Sequence, residues 1–275
     1  ATRQVDQWKQ LLESSSNIKL PDLPHPSGNP NFSWPSYPDR NAYVRSVQRA
    51  QKLIGQGDIY QVNLARELST RNESSALTAY RQLQNMSPAP FSGFINEGGF
   101  QILSASPESF LKLDGNHIQT RPIKGTRPRG LNPQADAQLA YELQSSEKER
   151  AELLMITDLL RNDLGRVCEY GSVTVPDLMQ LERYPQVHHL VSTIEGTLAK
   201  DCSHLQALSR CFPGGSITGA PKFRAMQIIE ELEPMTRGPY TGSMGYLGFN
   251  KTSRLNIIIR TAVKQKNHLS LHVGA

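Results

Sequence analysis

Cysteine is scarce. The 275-residue chain has three (Cys168, Cys202 and Cys211), an odd number with no CxxC pair. They read as reduced thiols, so no disulfide framework is expected and a cytoplasmic location is. Long apolar runs are also missing. Nothing approaches a bilayer span, and the N-terminus lacks the basic, apolar, small-residue order of a signal peptide, so no membrane partner is expected. Charge of one sign is in short supply too: 30 Lys+Arg against 25 Asp+Glu leaves +5, scattered along the chain. No basic cluster with interleaved aromatics is present, which argues against a nucleic-acid partner, while an anionic small substrate is compatible. What is there, 37% hydrophobic and 20% charged residues, is the balance of a soluble globular domain with ample length for a core. The chain starts at Ala1 rather than Met and stops in a strand-like run, so a piece of a longer protein is expected.

Val5, Trp8, Leu11 and Leu12 form a short helical stripe, followed by six prolines between Pro21 and Pro38. Such proline density suits neither helix nor central strand, so residues 1–38 read as a helix plus a Pro-rich linker or covering segment. A catalytic core is expected over 39–275, opening with Asp39 as N-cap of a helix that Gly55 and Gly57 end. A strand is expected over Ile59–Leu68 and a helix near 75–85. Four strand-like runs follow, Phe91–Asn96, Phe100–Ala105, Ser109–Leu113 and His117–Arg121, with a hairpin turn at Asp114-Gly115-Asn116. The chain should then be helical from Pro133 to about Leu164, broken near Ser145-Ser146. Strands at Val173–Val175 and Val187–Leu198, a helix near 203–211, a Gly-rich loop, a further helix and a three-strand meander over Tyr240–Ala275 complete the pattern. Hairpin runs without regular βαβ alternation predict α+β architecture, with antiparallel sheets flanked by helices.

Several residues could carry chemistry. Glu149 and Glu152 are three apart on one helix face, a pair able to hold Mg²⁺, with a solvated acidic face as the alternative. Lys124 in Pro-Ile-Lys-Gly-Thr could serve as a nucleophile if desolvated, or be a surface lysine. Glu108 could be a general acid if buried, or a solvated turn carboxylate. His188 and His189 are adjacent in a strand, so at most one faces a given pocket. Arg260, in an apolar strand, needs either a carboxylate ligand or an internal acid. The Gly214–Lys222 loop could bind an anion with its amides, or be only a tight helix entry; it lacks Walker spacing.

Together Pro122–Arg127 (PIKGTR), Asp158–Val167 (DLLRNDLGRV), His189–Ser192 (HLVS) and Phe212–Lys222 (FPGGSITGAPK), with Arg224-Ala225-Met226, resemble the chorismate-utilising enzymes. That superfamily includes the anthranilate, aminodeoxychorismate, isochorismate and salicylate synthases. The resemblance runs from about Asp39 to Ala275. Family members are longer at both ends, with further strands upstream and, downstream, a Gly-rich segment and a second acidic pair for Mg²⁺. Where they carry an acidic residue near the start of the Ile-rich strand, this chain has Arg254.

The resemblance implies the chorismate-binding, anthranilate synthase component I-like fold. It also implies roles. Gln61 stands where the isochorismate and salicylate enzymes have a water-activating lysine, which points to an ammonia-using branch. Lys124 stands where anthranilate synthases have alanine, which points to the aminodeoxychorismate branch; anthranilate synthase component I is the alternative. Lys124 would attack C2 of chorismate and Glu108 would assist departure of the C4 hydroxyl. Gln61, Thr126, His189, Ser216, Thr218, Lys222, Tyr246 and Arg260 would contact substrate, and Glu149 and Glu152 would supply half of a Mg²⁺ site. Ammonia would come from a glutamine amidotransferase subunit. The product, 4-amino-4-deoxychorismate, would serve 4-aminobenzoate and folate synthesis.

Overall fold

The computed structural model describes residues 2–15 and 34–274. The chain divides into two compact units, Ala1–Ser33 and Trp34–Ala275. In the first, α1 covers Thr2–Ser15, longer than the stripe that predicts it. The Pro-rich stretch up to Ser33 lies outside the described residues.

The second unit starts slightly before the expected Asp39, because β1 (Ser36–Tyr37) pairs with β3. Its elements continue with α2 (Arg40–Gly55), β2 (Gln61–Val62), β3 (Ala65–Arg71), α3 (Ala76–Met86), β4 (Phe91–Asn96), β5 (Gln101–Ser106), β6 (Ser109–Asp114), β7 (His117–Arg121) and β8 (Ile123–Pro128). Then follow α4 (Pro133–Ser145), α5 (Glu147–Gly165), β9 (Thr174–Arg183), β10 (Val187–Thr197), α6 (His204–Cys211), a 3₁₀ turn (Gly215–Ile217), β11 (Gly219–Ala220) and α7 (Lys222–Leu232). The last elements are β12 (Ser243–Leu247), β13 (Thr252–Ile257), β14 (Thr261–Gln265) and β15 (His268–Gly274).

Local chemistry sets many of these boundaries. The Asp39 side chain accepts from the Ala42 amide at the start of α2. Pro133 opens α4 behind the Asn132 cap, and Ser146 ends α4 and caps α5 by accepting from the Glu149 amide. The architecture is α+β, as expected. One antiparallel sheet runs β1-β3-β15-β14-β5-β4; the other runs β12-β13-β6-β7-β10-β8, with β9 also paired to β10. Phe110, Leu111, Leu113 and Ile118 of the second sheet bury against Ile156, Leu160 and Leu164 of α5. Leu103 and Ala262 of the first sheet pack against Ala79, Tyr80 and Leu83 of α3.

Four expectations are corrected. The strand expected over Val173–Val175 runs on for ten residues as β9, Thr174–Arg183. The run Ile59–Leu68 is two strands, β2 and β3, in different sheets. Pro122–Arg127 holds a strand of its own, β8, paired to β10. The C-terminal meander is two hairpins, β12-β13 and β14-β15, one in each large sheet. The apolar run Ile257-Ile258-Ile259 continues across the change of sheet, so its hydrophobicity hides the break.

Candidate active site

The chain passes between the two large sheets at two neighbouring places. From β5 to β6 it crosses through Pro107-Glu108, and from β13 to β14 through Ile258-Ile259-Arg260. Hydrogen bonds lace the crossings. Ser106 Oγ donates to the Ile257 carbonyl at 2.6 Å, the Ile257 amide to the Glu108 carbonyl at 3.1 Å, and the Ala105 amide to the Arg260 carbonyl at 3.1 Å. Beside this seam opens a cavity of about 640 Å³. Glu108, Lys124, Thr126, His189, Ser216 and Arg260 all line it.

Glu108 is buried. Burial pushes its pKa up to about 7 against the Ser216 hydrogen bond, the Lys124 charge and the Ile123 amide, all of which favour the carboxylate. Ser216 Oγ donates to Glu108 Oε1 at 2.7 Å. Near neutral pH the group is therefore divided between acid and carboxylate, which suits a proton donor.

Lys124 lies on β8, opposite Leu190 of β10, while Thr126 lies opposite His189. Gly125 is the extra residue between them, a β-bulge with φ of +76°. A left-handed backbone favours glycine. Space demands it as well: a Cβ here would lie 2.7 Å from Leu143 Cδ1. Thr126 Oγ1 is 3.0 Å from His189 Nδ1, and the Tyr184 ring meets the imidazole edge-on at 5.6 Å. Burial pushes the His189 pKa down, and the Arg260 charge acts in the same direction. The ring is thus a neutral donor–acceptor at physiological pH. His188 faces away from the cavity, fully buried, with Nε2 2.9 Å from Asp136 Oδ1.

Arg260 is a non-glycine residue with φ of +48°. Such a backbone is uncommon and is stabilised here by the sheet crossing. Its side chain makes no hydrogen bond or ion pair among the described residues, which leaves the guanidinium open to an anion.

Other expected site residues lie elsewhere. Asn63, not Gln61, lines the cavity. The pleat does not carry from 61 to 63, because β2 ends at Val62. Thr218 is buried and its hydroxyl donates to the Gly214 carbonyl at 3.0 Å. Lys222 is engaged by Asp163 and the Cys211 carbonyl. Tyr246 is exposed on β12, opposite Arg254; the Arg254 guanidinium itself donates to the Leu113 carbonyl. Sequence reasoning passed over Asn63, Tyr240 and His272, which complete one side of the cavity, with the Tyr240 and His272 rings stacked at 5.4 Å. None of them belongs to a motif whose chemistry stands out.

A Mg²⁺ site can be tested against the donor set. Glu149 reaches the cavity wall: a Cβ on Gly125 would lie 3.2 Å from its Oε2. It also faces Arg127 at 3.6 Å. Glu152 is partly buried one turn further along α5. No group of three acidic, His or Cys ligands occurs among the described residues. Two carboxylates fit what Mg²⁺ takes from protein when substrate and water supply the rest.

The chain matches the family described as chorismate binding enzyme over residues 1–275. It belongs to that family. Among chorismate binding enzymes, it is 47% identical over 242 residues to aminodeoxychorismate synthase component 1 of Salmonella typhimurium, covering 88% of this chain and 53% of that protein. It is 46% identical over 236 residues to anthranilate synthase component 1 1 of Haloarcula marismortui, covering 86% and 48%. The structure of anthranilate synthase component I from Streptococcus pneumoniae superposes with a TM-score of 0.85 at 31% identity, covering 100% of this chain and 61% of that one. The chain thus spans about half the length of the curated relatives it matches. Both enzyme names recur at similar identity, so overall similarity does not separate them.

Proposed function

We propose that the protein aminates chorismate at C4, with ammonia from a glutamine amidotransferase subunit, and yields 4-amino-4-deoxychorismate. The observation that carries this reading is Lys124 on the cavity wall, close enough to Glu108 for its charge to act on that carboxyl group. Arg260 pairs with a substrate carboxylate. Lys124 gives up its ammonium proton to Glu108, the freed amine bonds to C2 while the C4–O bond breaks, and Glu108 passes that proton to the departing hydroxyl, which leaves as water. Ammonia then bonds to C4 as the C2–N bond breaks, returning the lysine. His189 and Thr126 present neutral polar groups along the same wall. Glu149 and Glu152 would hold Mg²⁺, which supplies positive charge for the ring carboxylate. A separate lyase releases pyruvate afterwards.

The test is mass spectrometry of the full-length protein mixed with chorismate in the absence of ammonia. A Lys124 peptide heavier by chorismate less water is expected. Lys124→Ala should lose that adduct and at least about 10²-fold in amination rate. Amination within a few-fold of wild type in Lys124→Ala, at saturating ammonia, would remove the lysine from the mechanism. The second reading, anthranilate formation, is favoured by the relatives that carry that name.

A further inference from the structure

Lys222 is the first residue of α7, yet its side chain turns back from the helix. Nζ donates to Asp163 Oδ2 at 2.5 Å and to the Cys211 carbonyl at 2.9 Å. Asp163 lies near the end of α5 and is 1% exposed. Cys211 ends α6, where carbonyls have no partner inside the helix. One ammonium therefore joins three helices. It also ties together the two ends of loop 212–221, since Cys211 precedes the loop and Lys222 follows it.

The interior of the loop is equally constrained. Thr218 Oγ1 bonds back to the Gly214 carbonyl. Gly215 lies against Leu159 of α5, where a Cβ would come within 2.5 Å of Cδ2. Ile217 is buried in the main core. Ser216 sits between these anchors, and its hydroxyl reaches Glu108. Lys222 itself does not line the cavity.

We propose that Lys222 and Asp163 are positioning residues whose ion pair closes the loop so that Ser216 Oγ meets the Glu108 carboxylate. They act on Glu108 through Ser216 rather than on substrate. The groups acting on Glu108 are Ser216 from the loop, and Lys124 and the Ile123 amide from β8. The Lys222–Asp163 pair is itself faced by Arg166 and by the buried Cys211 thiol. The Ser216 bond favours the charged form of Glu108, so loosening the loop should make Glu108 hold its proton to higher pH.

The experiment follows Glu108 protonation directly, by carbon NMR of ¹³C-labelled glutamate side chains, with Glu108→Gln assigning the signal. Wild type, Ser216→Ala and Lys222→Met are titrated, and thermal melts establish that each is folded. Removing one partner of a buried pair strands the other charge, so Lys222→Met can fail to fold. Asp163→Leu/Lys222→Met removes both charges and serves in its place. The expected result is that Ser216→Ala and the folded Lys222 variant both raise the Glu108 midpoint, by roughly one pH unit. Combining them should raise it no further, since both act through one hydrogen bond. An unchanged midpoint in the folded Lys222 variant, or shifts that add, would overturn the proposal. The readout needs no substrate, so it stands apart from the amination reading.

Discussion

At the scale of single residues, Glu108 concentrates the physics of the site. A buried carboxyl whose pKa rises from 4.5 to about 7 binds more protons folded than unfolded across that interval. Folding stability is therefore highest below the unfolded pKa and falls as pH rises through the folded one. The loss amounts to roughly 3 kcal/mol between about pH 4.5 and 7. Glu108→Gln removes this dependence. Urea melts should show the variant gaining on wild type as pH is raised from 5 to 8; a constant difference would mean that the carboxyl titrates normally. Lys124 and Glu108 were both legible as candidates by residue type, but a solvated lysine or turn carboxylate was equally readable there, because burial is set by partners from other elements. Lys222 was expected from the resemblance to contact substrate, whereas the structure turns its ammonium to Asp163 and the Cys211 carbonyl. Its partner Asp163 is 59 residues away in sequence, so nothing local indicated that pairing.

At the scale of elements, the bulge at Gly125 sets how Lys124 and Thr126 meet the cavity. Gly125→Ala would force a side chain into a left-handed backbone and against Leu143. A loss of about 1–3 kcal/mol is expected, measured by chemical denaturation, together with reduced activity. Wild-type stability in this variant would show that the bulge is not constrained. Helix caps and hairpin turns were readable because they depend on neighbours: Asp39, Pro133, Ser146 and Asp114-Gly115 all act within a few residues. The passage of Arg260 from one sheet to the other was not. It depends on the Ala105 amide and the Glu108 carbonyl across the seam, while the run Ile257-Ile258-Ile259 gives no sign of the break. Asn63 escaped for a similar reason, since the end of β2 at Val62 is set by pairing with β11.

At the scale of the whole molecule, two antiparallel sheets bring distant motifs to one seam, with α5 carrying its acidic pair alongside. Glu149→Gln should weaken or abolish Mg²⁺-dependent activity of the full-length protein, and so should Glu152→Gln. Activity in both variants with an unchanged Mg²⁺ requirement would place the metal elsewhere. The family was readable from motif order, and the matched relatives bear it out. The branch within the family rests on Lys124. Product analysis tests it most directly: the full-length protein is supplied with chorismate, ammonium and Mg²⁺, with and without an added aminodeoxychorismate lyase. 4-Aminobenzoate is expected only when the lyase is present, and no fluorescent anthranilate in either reaction. Anthranilate formed without the lyase would contradict it.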